Sequence, residues 1–168
     1  MIRRATPDDA PAISDVFVRA RDEMTYLPRI PEHVQPYLGG RFLERAELWV
    51  FEEQGRILGF AGVSGGELTH LYTDPPAQKR GVGRTLLDHV KTLQPDGLEL
   101  WVFQKNEGAR RFYERHGFQL VRLTGGAGNM EQEPDALYEW RRPRASRRRR
   151  ASLPGWTLGL HPAAHRRG

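Results

Sequence analysis

Thr69-His70-Leu71-Tyr72-Thr73-Asp74-Pro75-Pro76-Ala77-Gln78-Lys79-Arg80-Gly81-Val82-Gly83-Arg84-Thr85-Leu86-Leu87 reads as a strand, a proline-stopped loop, a Gly-x-Gly turn and the opening of a helix. A turn of this kind aims several backbone N–H groups the same way, at the positive end of the helix dipole. That makes a ready site for a phosphate or pyrophosphate. Gly81 and Gly83 carry no Cβ, so the backbone there can approach an anion closely. Lys79, Arg80 and Arg84 add side-chain positive charge beside the same turn. A Walker-type phosphate loop is excluded, because no Gly-x-x-x-x-Gly-Lys-Ser/Thr occurs. A dinucleotide fingerprint fits poorly: position 86 is Leu where a third Gly would stand, and Pro75-Pro76 parts the strand from the turn.

The segments before this stretch read as the rest of a sheet. Residues 47–53 and 56–64 are strands joined at Gln54-Gly55, a two-residue hairpin signal, and 67–73 comes after Ser64-Gly65-Gly66. Further back, 2–5 is a short strand. Thr6-Pro7-Asp8-Asp9 then supplies an N-cap, a proline at the first helical position and first-turn acids, which predicts a helix over 7–24. Its apolar stripe is Ala12, Ile13, Val16, Phe17, Ala20 and Met24. Prolines at 28, 31 and 36 and Gly39-Gly40 break up the next segment, leaving a short helix near 31–38 and another at 40–46. Beyond the glycine turn, Val82, Leu86, Val90 and Leu93 make the core stripe of a helix running from Gly81 to about Leu93. Strand 98–103 comes next and should lie parallel to 67–73 through a right-handed crossover. Asn106 to His116 is a helix, with Asn106 as N-cap and Gly117 just past its end. Strands at 118–123 and 136–140 flank a polar, glycine-rich loop.

Composition bounds the function. A chain of 168 residues suits one domain with one core. With no cysteine, a disulfide framework, a cysteine zinc site and a thiol nucleophile are all excluded. No apolar run approaches the roughly 20 residues that span a bilayer, and the N-terminus lacks a signal peptide's apolar region. A soluble, cytoplasmic protein with no membrane partner is expected. The net charge of +5 comes from one end: residues 141–168 hold nine Arg, no Lys and no acid, so 1–140 carry 17 basic against 21 acidic residues. We expect a domain over 1–143 and a basic, disordered tail over 144–168.

The string Leu71-Tyr72-x-x-Pro75-x-x-Gln78-x-x-Gly81-Val82-Gly83-x-x-Leu86-Leu87 closely resembles the acyl-coenzyme-A-binding motif of the GNAT superfamily of N-acetyltransferases. A second string, Asn106-x-x-Ala109-x-x-Phe112-Tyr113-x-x-x-Gly117-Phe118, resembles the same family's pattern in the segment after the next strand, at the right distance. The resemblance implies an α/β fold: a mixed, mostly antiparallel sheet of six or seven strands with helices on both faces. Its two central parallel strands, here 67–73 and 98–103, splay apart. Acetyl-CoA is the implied acetyl donor. Its pantetheine arm would bond to backbone groups at Leu71, Tyr72 and Thr73, as an added strand would. Its pyrophosphate would sit on the N–H groups of Lys79 through Arg84, and Gln78, Asn106, Ala109 and Phe112 occupy further cofactor-facing positions of the family.

Each of these residues also has a plainer reading. Asn106 is first an N-cap, and Tyr113 could only pack in the core. As a functional residue, Tyr113 would donate a proton to the departing thiolate. Glu67 stands eleven residues before Gln78, the spacing at which the histone-acetylating branch carries its catalytic Glu, but could be a solvated strand-end acid. His70 is a second candidate base. The expected activity is acetyl transfer to a primary amine, of a small molecule first and of a peptide or protein second, with no metal. A homodimer is compatible with the family. The alternatives are a coenzyme-A-binding domain without turnover, and a nucleic-acid binder working through the arginines. No base-reading pattern supports a specific nucleic-acid partner, although nonspecific attraction to phosphate fits the charge.

Overall fold

The computed structural model describes residues 1–143. In chain order, β1 (Ile2–Arg4) leads into a 3-10 turn at Pro7–Asp9 and α1 (Ala10–Asp22). A second 3-10 turn (Gln35–Tyr37) opens into α2 (Leu38–Arg45). Three antiparallel strands come next, β2 (Glu47–Glu53), β3 (Arg56–Ser64) and β4 (Glu67–Thr73), then a 3-10 turn at Pro75–Ala77 and α3 (Val82–Thr92). The chain closes with β5 (Gly97–Phe103), α4 (Glu107–Arg115), β6 (Gln119–Thr124) and β7 (Asp135–Arg141). The strands form one seven-stranded sheet in the order β1-β2-β3-β4-β5-β7-β6, antiparallel except where β4 meets β5. The expected fold class is the observed one.

Local chemistry explains the well-placed elements. Gln54 and Gly55 both have positive φ, 50° and 73°, the geometry that lets a two-residue turn match the twist of β2 and β3. Asp9 accepts from the backbone N–H of Thr6 at 2.7 Å and pairs with Arg3 through two 2.8 Å bonds, so the entry to α1 is capped and tied to β1. At the other end of the chain, the Tyr138 hydroxyl donates to Glu114 at 2.7 Å and accepts from Arg110 at 3.0 Å. These bonds bind α4 to β7.

Two apolar clusters lie on opposite sides of the sheet. One packs α3 and the Tyr113 turn of α4 against residues such as Leu58, Leu98, Leu100 and Tyr138. The other packs α1 and α2 against Leu48, Val50 and Phe60. Alternation along β2 sends Leu48 and Val50 to one side and Trp49 and Phe51 to the other.

Several boundaries differ from expectation. Residues 7–9 are 3-10 rather than α, and α1 stops at Asp22, so Met24 falls beyond the helix. The segment near 31–38 condenses to one 3-10 turn, because Pro28, Pro31 and Pro36 each remove a backbone donor. Leu93 is not in the core: α3 ends at Thr92, and the side chain just past it is 42% exposed. Leu87 is buried in its stead. The region proposed as a basic tail, 144–168, lies outside the described residues. Among the described residues no helix is long and apolar enough to cross a membrane.

Candidate active site

β4 and β5 are parallel neighbours with a single paired position, Glu67 with Glu99, and the Glu99 N–H donates to the Gly66 carbonyl at 2.9 Å. On its other side β5 is bonded to β7 along its whole length. From Thr69 onward β4 therefore presents an unpaired edge. The cause sits in the register with β3: Gly62 faces His70 and Val63 faces Leu68, so Thr69 is an extra residue in β4, a β-bulge. A bulge bends its strand and increases local twist. Here the bend falls where the two strands part. The gap opens into a cleft of about 810 Å³ between the open ends of β4 and β5, the start of α3, the first turns of α4 and the end of α1.

The glycine turn faces this cleft. Gly81 caps α3 with φ +84°, a left-handed conformation that strains any side chain. None of the N–H groups from Lys79 to Arg84 donates to another group among the described residues. Free donors at the mouth of an eleven-residue helix, where the dipole favours negative charge, fit a pyrophosphate. A Cβ built on Gly83 would stand 3.5 Å from the Thr73 hydroxyl and 3.8 Å from the Phe112 ring, pointing between two cleft-lining side chains. These features fit the coenzyme expected there. The loop is held from below by Asp74, which is buried and takes two bonds from Arg19 of α1, at 2.8 and 3.1 Å.

The structure gathers the expected residues at this cleft with two exceptions. Leu71, Tyr72 and Thr73 line it from β4, Gln78, Lys79, Gly81, Val82, Gly83 and Arg84 from the turn, and Asn106, Ala109, Phe112 and Tyr113 from α4 and its cap. Asn106 does cap its helix, accepting from the Ala109 N–H at 3.2 Å. The Gln78 amide donates to Glu23 at 3.1 Å, which links the turn to the end of α1. Arg80 turns away from the cleft to pair with Glu53 at 2.9 Å. Glu67 also stands apart from the lining, at the closed end where β4 and β5 still pair. There burial, followed by the charge of Glu99, pushes its carboxyl up.

Titrating groups in the cleft are strongly biased by burial. Burial raises the Tyr113 phenol well above its ordinary range, and charge on nearby Tyr72 adds to the effect. Tyr72 is pushed up to about 12, again chiefly by burial. Both therefore hold their protons at neutral pH. His70 moves the opposite way: desolvation lowers it to about 4, so its imidazole is neutral. Its ring packs 4.3 Å from Phe42, and its Nδ1 lies 2.9 Å from the Thr69 hydroxyl.

Sequence reasoning missed several cleft residues. Glu23, Met24 and Tyr26 belong to the irregular segment after α1, and Trp101, Phe103 and Lys105 lie on and after β5, outside either string. The β-bulge left no trace, because Thr is as much at home in a regular strand.

A family model described as an acetyltransferase (GNAT) domain matches residues 44–120. The peptidyl-lysine N-acetyltransferase YiaC of Escherichia coli is 32% identical over 132 residues, covering 72% of this chain and 84% of that protein. The chain belongs to the GNAT superfamily. The solution structure of apo YjaB from Escherichia coli superposes with a TM-score of 0.69 at 26% identity, over 83% of this chain and 96% of that one. The mycothiol acetyltransferase of Propionibacterium freudenreichii subsp. shermanii is 35% identical over 87 residues, 45% of this chain and 28% of that protein. This GNAT protein is thus an acetyltransferase, of a family that uses acetyl-CoA.

Proposed function

We propose that the protein moves an acetyl group from acetyl-CoA to a primary amine, with the expected positions that line the cleft holding the donor and Tyr113 acting as general acid. The observation that carries this reading is the run of unbonded N–H groups from Lys79 to Arg84 beside the unpaired edge of β4. The turn offers donors to a pyrophosphate, and the strand edge offers them to an extended amide-bearing arm. Acetyl-CoA, when bound, supplies an activated thioester and a thiolate leaving group.

The remaining chemistry falls to this chain. The cleft holds donor and acceptor in line, which converts a bimolecular reaction into a positioned one. The unpaired N–H groups of β4 are the donors available to charge developing on the acyl oxygen. The Tyr113 residue lines the cleft and its phenol stays protonated, so a proton is at hand for the departing sulfur. Glu67 is set back from the cleft, so the acceptor's proton leaves through water or the cleft's own acids.

YiaC, matched over most of both chains, is named for peptidyl-lysine. We therefore place the lysine side chain of a peptide ahead of a free small-molecule amine as acceptor. Thiol release with acetyl-CoA across lysine peptides, N-terminal amines and small amines, with mass detection of the product, tests this. Turnover with none of them would sink the transferase reading. Preference for a small amine would restore the other acceptor class.

A further inference from the structure

The chain contains only three lysines, Lys79, Lys91 and Lys105, among 26 basic residues. Their surroundings differ sharply. The Lys91 ammonium donates to the His116 carbonyl and lies 4.8 Å from the Trp140 ring, away from the cleft. Lys79 lines the cleft at the glycine turn, where the pyrophosphate end of the donor would lie. Pyrophosphate and thioester are at opposite ends of the pantetheine arm, which puts Lys79 at the wrong end for transfer. Lys105 lines the cleft just beyond the open end of β5.

The Lys105 ammonium is held as an acceptor's would need to be. It lies 3.1 Å from a Glu133 carboxylate oxygen and 5.7 Å from the centre of the Tyr26 ring, an arrangement suited to an alkylammonium group. Tyr26 packs edge-on against Phe103 at 6.2 Å, and its buried hydroxyl has no hydrogen-bond partner among the described residues. Tyr26, Tyr72 and Tyr113 line the same cleft as Lys105, so the lysine and the proposed acid open onto one space. The lysine side chain is 59% exposed, free to leave this seat and swing within the cleft.

We infer that Lys105 is a site of self-acetylation: with acetyl-CoA in the cleft and no external amine, the acetyl group passes to the Lys105 Nζ of the same molecule. This rests on the transferase reading above. The ammonium first loses one proton to solvent, leaving its ion pair with the Glu133 carboxylate. The free amine then attacks the thioester carbonyl, a C–N bond forms and the C–S bond breaks. Sulfur takes a proton from Tyr113, which is replenished from the amine's second released proton. Acetyl-CoA and Lys105 ammonium become acetyl-lysine, free thiol and one proton. The product carries no charge, so the contacts to Glu133 and the Tyr26 face are lost and that seat opens to an incoming ammonium.

The full-length protein incubated with acetyl-CoA alone, followed by intact mass and peptide mapping, tests this. One acetyl group is expected, on Lys105, at a rate independent of protein concentration. Excess free coenzyme A should suppress it, and Lys105→Arg should abolish it without moving it to another lysine. Tyr113→Phe should slow it by about 10²-fold or more, and coenzyme A competition keeps the test valid if that variant folds poorly. Acetyl spread over all three lysines, or insensitive to coenzyme A, would mean chemical acylation and overturn the proposal. So would a rate that rises with protein concentration. An unmodified Lys105 in a preparation that acetylates added amines overturns self-acetylation alone, whereas transfer to neither overturns the transferase reading as well.

Discussion

Tyr113 combines two properties that packing alone would not require: its ring is buried against Phe112 and Phe118, yet its residue lines the cleft. A phenol pushed up by burial keeps its proton at every pH the enzyme would meet, so the proton is present for the thiolate to take. Tyr113→Phe should therefore lower kcat by about 10²–10⁴-fold while coenzyme A affinity, measured by calorimetry, stays close to the parent value. Unchanged turnover would assign thiolate protonation to water. Glu67→Gln should leave the pH–rate profile as it is, because the carboxylate stands outside the cleft lining; a selective loss of rate at low pH would restore Glu67 as base. His70 makes a different prediction, one of stability. Its folded pKa of about 4 lies below the ordinary 6.5, so between those values the unfolded chain binds more protons. Stability from this residue is then fully present above pH 6.5 and lost as pH falls toward 4, by about 3 kcal/mol in total. Urea unfolding across this range should show the loss, and His70→Phe, which keeps a ring beside Phe42 and Phe60, should flatten it.

The element that turns this fold into a site is the start of α3, together with the strand edge it faces. Gly83 is tolerant in backbone terms, and a Cβ there would meet only ordinary contacts. Gly83→Val should accordingly fold, yet its methyl groups would enter the space between Thr73 and Phe112 and weaken coenzyme A binding strongly. Calorimetric titration with parental affinity would move the coenzyme elsewhere. This element was legible from sequence because its chemistry is local: a positive φ demands glycine at 81, and the helix stripe starts one residue later. The hairpin at Gln54-Gly55 was legible for the same reason. What stayed hidden is set by contacts distant in sequence. The bulge at Thr69 depends on which residue of β3 lies opposite, and the Lys105–Glu133 pair joins positions flanking β6. Exposure of Leu120, Val121 and Leu123 arises because β6 is the outermost strand, which no periodicity along the chain reveals.

At the scale of the molecule, the sheet separates two apolar clusters, whose members among the described residues run from Ile2 to Trp140. Burial of such clusters is the main favourable contribution to folding. Beyond Pro143, the residues 144–168 bring seven of the nine C-terminal arginines and no acid. A segment of that composition has little to add to either cluster, but its charge opposes that of the 1–140 body, which is net −4. Removing 144–168 should therefore leave the melting temperature nearly unchanged. It should also leave transfer to a neutral or cationic amine intact, since every residue named in the cleft is retained. The loss should appear with polyanions. Binding to heparin or an oligonucleotide at low salt should fall steeply on truncation. In the full chain it should fade as salt rises, because charges more than about 10 Å apart are largely screened at 0.1 M. A large drop in melting temperature would show that these residues dock on the domain. Salt-insensitive polyanion binding that survives truncation would instead place a binding surface on the domain itself, where Lys79 and Arg84 at the mouth of the cleft would be the first residues to replace.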